Sequence, residues 1–129
     1  MQVVDLNIAE RQAAIEFTRW ELAVINNALN EVCNGIPVVD LSAHVVGLRD
    51  RARALLRKAH RILETCSVDE VVVVFPRDEL RVAREALDEV RKRISEWEFH
   101  ARLGAELDEA GELRDQVRRA IDCIGRGRR

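Results

Sequence analysis

The sequence repeats itself with a period of 58 residues. Residues 17–64 align with residues 75–122 without a gap, and 15 of the 48 aligned pairs are identical. Average composition would give about three identities by chance. A period that occurs only twice does not suit a solenoid, which needs several stacked units. The pattern predicts a duplicated half-domain whose copies pack around a pseudo-twofold axis; the competing interpretation is convergence of two amphipathic helical stretches.

The size and composition predict one globular domain. The 129 residues are 47% hydrophobic and carry a net charge of −2, so disorder is not expected. We therefore expect a single domain over 1–129, with internal repeats at about 13–64 and 71–122. No apolar run has the length of a membrane span, and no signal peptide is apparent. The three cysteines predict free thiols in a reducing compartment, which favours a cytoplasmic protein.

Each copy opens with an apolar stretch that predicts a short strand. Val71–Phe75 is a run of β-branched and aromatic residues typical of a buried strand, and Ala13–Phe17 is its weaker counterpart. Met1–Leu6 suits a further strand. For residues 8–16 the sequence fits either a strand or a helix capped by Asn7. The predicted fold is α+β and mostly helical, a tandem β-α-α duplication with a small sheet of short strands covered by helices on one side.

Helix signals follow each predicted strand. Thr18 and Glu21 form a capping box, and Gly35 is expected to end that helix in the left-handed conformation. Short helical turns are expected over 40–46 and 98–103, with Gly47 and Gly104 where they stop. The last helices are expected over 50–64 and 108–123, with Asp50 and Asp108 as N-caps. Residues 125–129 are Gly-rich and charged and are expected to fray.

Two strings carry a resemblance. They are INNALNEVCNGI at 25–36 and WEFHARLGAELDEAGEL at 97–113. Together with Glu21-Leu22 they fit E-L-x-x-L-x-N-A-L-N-E-V-x-N-G-I followed by E-F-x-x-R-x-G, except that Ile25 replaces the second leucine. They therefore resemble a group of small bacterial proteins, mostly uncharacterised. The first half of the pattern is better kept in copy one and the second half in copy two. The resemblance implies a bacterial, cytosolic origin and brings no activity, cofactor or site residue with it.

The segment around Trp97 is the first candidate for partner binding. Between residues 95 and 115 seven acids face two arginines, a net charge of −5. An aromatic residue and an arginine among such charges are typical of interface hot spots. The alternative is that Phe99 and Leu103 are core residues and that Trp97 is half-buried where the repeats meet. The predicted partner-binding residues are Trp97, His100, Arg102, Glu106, Glu109 and Glu112.

A basic helix is the second candidate. Residues 49–61 contain six basic residues and one aspartate, a net charge of +5. Arg53, Arg57 and Arg61 are spaced to form one stripe, which either binds phosphates or is a solvated helix face. The overall charge of −2 argues against nucleic acid as a partner. The opposite charges of the two segments suggest attraction within the chain or between two chains, so a homodimer is an alternative assembly.

Catalytic patterns are missing from the sequence. The histidines and cysteines lack metal-ligand spacing, there is no Gly-rich phosphate loop, and no serine has a nucleophile-elbow context. We therefore expect no enzyme, no cofactor and no metal. The predicted function is a non-catalytic protein-binding module, in its most specific form an immunity or antitoxin-type inhibitor of a toxin. The alternative is a nucleic-acid-associated regulator that uses the basic helix 49–61.

Overall fold

The computed structural model describes residues 1–126, and the fold is α+β and mostly helical. The strands are β1 (Gln2–Asn7), β2 (Gln12–Thr18) and β3 (Glu70–Pro76). The α-helices are α1 (Arg19–Asn30), α2 (Ala43–Val46), α3 (Arg49–Thr65), α4 (Arg77–Arg93), α5 (Glu96–Leu103) and α6 (Leu107–Arg126). A π-helical turn at Glu31–Gly35 extends α1, and a 3-10 turn lies at Val38–Asp40. Of the residues predicted to fray, 125–129, the first two belong to α6 and the last three lie outside the described residues.

The three strands form an antiparallel sheet in the order β1-β2-β3. A tight turn over residues 8–11 joins β1 to β2, where the Asn7 carboxamide accepts a hydrogen bond from the Glu10 amide at 3.1 Å. Arg11 closes the turn with a φ of 55°. Residues 12–16 therefore belong to a strand, and the alternative helix over 8–16 is wrong because Asn7 stabilises a turn instead of a helix start.

The helices cover one face of the sheet and share one apolar core with it. From the sheet, Ile15, Phe17 and Phe75 point into this core. The Phe17 and Phe75 rings meet edge to face with 5.6 Å between their centroids. Helical spacing predicts one apolar face on α4 and one on α6, and both faces are buried. They consist of Leu80, Ala83, Leu87 and Val90 on α4 and of Ala110, Leu113, Val117, Ala120, Ile121 and Ile124 on α6. Two of the few aromatic residues therefore meet at the centre, and leucine, valine, isoleucine and alanine fill most of the remaining core.

The strand β3 is half-exposed, which corrects the expectation that Val71–Phe75 is buried. Val73 and Phe75 point inward, whereas Val72 and Val74 are 54% and 48% exposed. The physical reason is that helices pack on one face only and that β3 is an edge strand. A continuous apolar run has therefore formed a strand with an apolar outer surface.

The strand and the first long helix of the two halves have the same bounds under the 58-residue shift, whereas the short helices α2 and α5 do not. β2 corresponds to β3, and α1 with its π-helical turn spans 19–35, which corresponds to α4 at 77–93. Ile15 pairs directly with Val73, its own counterpart at the 58-residue shift. β1 has no second copy, because residues 60–65, which lie 58 positions later, belong to α3. The common origin of the two halves stays a prediction, and these coincidences are what support it.

Some of the residues predicted to begin or end helices do so in the structure, and others do not. The capping box of Thr18 and Glu21 is present, as predicted. Of the three glycines, Gly104 alone has a left-handed φ, 75°, and ends α5. Gly35 lies in the π-helical turn and Gly47 has a φ of −66°.

The predicted N-caps of the last helices are also wrong. Leu48 is the N-cap of α3, so Asp50 lies inside its first turn. Asp108 likewise lies in the first turn of α6, which begins at Leu107. Both carboxylates still face the positive end of the helix dipole, which is why an aspartate suits either position.

Candidate protein-binding surface

Trp97 projects into solvent from the first turn of α5. It is 83% exposed, so the expectation that it is half-buried where the repeats meet is wrong. Phe99 and Leu103 lie on the opposite side of the same helix and are buried, as the alternative interpretation expected. Phe99 and Leu103 occupy the buried face of α5, and the 3.6-residue period therefore places Trp97 on its exposed face.

The surface around Trp97 continues onto the start of α6. His100 Nδ1 lies 2.8 Å from Glu106 Oε1, and both side chains are well exposed. The Glu109 carboxylate accepts a hydrogen bond from the Glu106 amide at 2.8 Å and so caps α6. Glu112 follows one turn later on an exposed position. We call Trp97, His100, Glu106, Glu109 and Glu112 the acidic–aromatic surface.

Arg102 is turned away from this surface. Its guanidinium group pairs with Glu31 and, at 3.3 Å, with Glu98. The hydrogen bond that Arg102 donates to Glu31 is the main cause that raises the pKa of Arg102, although burial lowers it. Arg102 therefore ties α5 to the end of α1, and the prediction that it is available to a partner is not supported by its geometry. A sequence separation of 71 residues hid this pairing.

A shallow groove of about 220 Å³ adjoins the acidic–aromatic surface. Glu109, Glu112 and Gln116 line it from α6, and Trp20 lines it from α1. The Trp20 indole donates a hydrogen bond to the Gly104 carbonyl at 2.9 Å, which fixes α1 to the α5–α6 turn. Trp20 was missed by the sequence reasoning, since nothing near it in the sequence indicates contact with α6.

The predicted basic stripe lies on the outer side of α3. Arg53, Arg57 and Arg61 are all exposed. Arg53 is 3.6 Å from Asp50, whereas Arg57 and Arg61 have no side-chain ion pair with any residue from 1 to 126. The stripe thus keeps two uncompensated cations directed at solvent.

A second, deeper cleft lies between α2, α3 and α4. It has a volume of about 270 Å³ and is lined by His44, Arg51, Arg81 and Glu85, among others. His44 Nε2 is 2.9 Å from Glu85 Oε2. Burial raises the pKa of Glu85, but hydrogen bonds and charge from His44 and Arg84 outweigh it and leave that pKa below its usual value. Sequence spacing did not reveal this pair.

Metal-binding clusters and the cysteines are the remaining places to look for chemistry in the described residues. No group of three or more histidine, cysteine or acidic side chains converges there to hold a metal ion. The three cysteines form no disulfide. Burial raises the pKa of the Cys33 thiol, although Arg53 and Arg49 lower it, so this buried thiol is a poor nucleophile.

The comparisons with known proteins add no relative. No protein-family model matches the chain, and no curated protein or solved structure is significantly similar to it. The described helices include none with the length and apolar character that crossing a bilayer requires.

Proposed function

We propose that this chain is a non-catalytic protein-binding module that acts through the acidic–aromatic surface, in its specific form an immunity or antitoxin-type inhibitor of a basic partner. The observation that carries the proposal is the exposure of Trp97 beside carboxylates. A tryptophan side chain is costly to leave in water, because burying it is worth roughly 4 kcal/mol by its area. Large exposed aromatics are typical hot-spot residues.

The charges around Trp97 define the chemistry of the partner. Glu106, Glu109 and Glu112 give the acidic–aromatic surface negative charge on α6, next to the helix that carries the exposed indole, and Arg102 is already neutralised by Glu31. Such a field speeds the approach of a positively charged protein and repels phosphates. The absence of a disulfide among the three cysteines suits action in the reducing cytoplasm, which is part of the proposal.

The test uses two exposed apolar side chains at corresponding positions. Val39 is 91% exposed and lies 58 residues before Trp97. We expect the wild type and Val39→Ala to capture the same basic protein from source cells. Trp97→Ala should bind it about thirtyfold more weakly, the effect of losing a hot spot of about 2 kcal/mol. Equal binding by Trp97→Ala and Val39→Ala would contradict the proposal.

The second candidate is a nucleic-acid-associated regulator that uses Arg53, Arg57 and Arg61. Its specific support is the unpaired, exposed state of Arg57 and Arg61 within the described chain. Phosphate contacts predict a steep loss of DNA affinity between about 50 and 200 mM salt. Arg57→Glu should abolish that binding, whereas Arg119→Glu, an exposed arginine on the corresponding helix α6, should not. Salt-independent binding, or none, would eliminate this candidate.

A further inference from the structure

The two charged segments lie on different sides of the helix layer. α3 packs mainly on α1 and α6 mainly on α4, while α1 and α4 pack on each other between them. The sequence carries a charge of +5 over 49–61 and −5 over 95–115. Attraction within the chain, one of the two outcomes expected from the sequence, is therefore not how these charges are satisfied.

Equivalent positions of the two halves bear opposite charges. Arg51 of α3 corresponds to Glu109 of α6, and Arg57 corresponds to Asp115. All four side chains are exposed. The two outer helices thus present similar backbone elements with inverted charge, so each chain holds both members of a complementary pair that it does not bring together.

We infer that a second copy of this chain docks head to tail, with the basic stripe of one copy on the acidic–aromatic surface of the next. The inference rests on the proposed function, because it names a partner for the same surface. It is argued from charge complementarity: Arg57 and Arg61 lack ion pairs among residues 1–126, and so does Glu112 at the other side. A second copy supplies oppositely charged partners for all three side chains.

The contact is heterologous, because the two patches lie on different sides of the helix layer and do not both face the same second copy. Each added copy leaves one free basic stripe and one free acidic–aromatic surface, so association continues beyond a dimer. A symmetric pair that joins like patches is disfavoured by repulsion. Because the charges are exposed, the contact weakens as the Debye length shortens from about 10 Å at 0.1 M salt to about 3 Å at 1 M.

The experiment uses two charge-neutralising variants of the full chain, followed by sedimentation velocity. Arg57→Gln/Arg61→Gln removes the charge of the basic stripe, and Glu106→Gln/Glu112→Gln removes charge from the acidic–aromatic surface. Glu109 is retained because it caps α6. We expect the wild type at about 50 mM salt to increase in mass with concentration and to become monomeric at about 500 mM. Each variant alone should be monomeric at both salt concentrations.

A mixture of the two variants decides the geometry. One intact stripe and one intact surface remain, so the mixture should form a 1:1 complex that stops at two chains, and circular dichroism of each variant checks that it is folded. A wild type that stays monomeric at low salt, or that stops at a dimer at every concentration, overturns the inference. Capture of another basic protein through Trp97 would in that case leave the proposed function standing.

Discussion

Gly35 lets the end of α1 reach α5. A Cβ atom built at Gly35 would overlap the Glu31 carboxylate, which pairs with Arg102. In the other half the corresponding position is Arg93, which donates to Glu89, the counterpart of Glu31, at 3.3 Å. In both halves the corresponding glutamate is therefore paired with an arginine. For Glu31 the arginine belongs to another helix, and for Glu89 it belongs to the same helix.

We predict that Gly35→Ala lowers the unfolding free energy in the wild type and raises it in a Glu31→Ala background. In the wild type the added methyl group displaces the Glu31 carboxylate from Arg102, and we expect unfolding free energy to fall by about 1 kcal/mol. In a Glu31→Ala background no carboxylate opposes the methyl group. There the same change should gain up to about 1 kcal/mol, because alanine favours helix and Gly35 needs no left-handed φ. Urea unfolding of the four chains measures this, and equal effects in both backgrounds would contradict it.

Glu89 is a buried carboxylate with a full set of donors. The Ser42 amide and hydroxyl donate to it at 2.7 and 3.0 Å, and Arg93 adds a third donor. Burial raises the pKa of Glu89, but these hydrogen bonds and the Arg93 charge outweigh it and leave the pKa below 4.5. The carboxylate ties the 42–46 region to α4.

The depressed pKa of Glu89 predicts how stability depends on pH. The unfolded chain takes up the proton first, so the stabilisation is present above about pH 4.5 and is lost as pH falls through the folded pKa. Glu89→Gln should lower unfolding free energy at pH 7 by about 1–3 kcal/mol, because charged hydrogen bonds are lost. The difference should shrink below pH 4.5. Unfolding curves from pH 7 to pH 3 check this against the control Glu112→Gln, and a constant difference would contradict it.

The free edge of β3 shows how an element can expose apolar residues and stay unpaired. Lys58 of α3 reaches across this edge, where its ammonium group donates to the Val74 carbonyl at 2.8 Å and lies 4.5 Å from the centre of the Phe75 ring. It also pairs with Glu79 at 2.5 Å. Pro76 offers no amide at the end of the strand. A lysine and a proline are common protections of an edge strand.

We predict that Lys58 keeps β3 from pairing with other chains. Lys58→Ala removes its three contacts, so we expect a loss of about 1 kcal/mol in unfolding free energy and increased light scattering on concentration. Scattering is measured at about 500 mM salt, where ionic association is screened. The control is Lys92→Ala, a change of the other lysine, which is exposed on α4. Scattering equal to that of Lys92→Ala would contradict the role of Lys58.

Patterns within a few residues predict where helices and strands form, whereas contacts between distant elements determine which side chains stay exposed. The capping box at Thr18 and the apolar face of α6 follow from spacing within one helix, so both were predictable. The exposure of Val72 depends on whether helices cover one face or two. The pairing of Arg102 with Glu31 depends on where α5 docks. Neither is encoded within a few residues, and both change what the acidic–aromatic surface and the sheet present to a partner.

At the scale of the whole molecule, the two halves are joined through their centre. β2 pairs with β3 along its entire length, α1 packs on α4, and Phe17 packs on Phe75. Leu29 and Leu87, which correspond at the 58-residue shift, are both fully buried in the shared core. Neither half therefore has a complete interior of its own, and we expect both to unfold in a single transition.

This cooperativity is tested with one core truncation in each half. Leu29→Ala and Leu87→Ala should each lower unfolding free energy by about 2–5 kcal/mol. In a Trp97→Phe background the remaining fluorescence comes from Trp20 in the first half, whereas far-ultraviolet circular dichroism reports helices of both halves. We expect Leu87→Ala to shift the Trp20 midpoint as far as the dichroism midpoint, although the change lies in the second half. A Trp20 midpoint that stays at the wild-type value while the dichroism curve splits would show two independent units, because damage to one core would then leave the other intact.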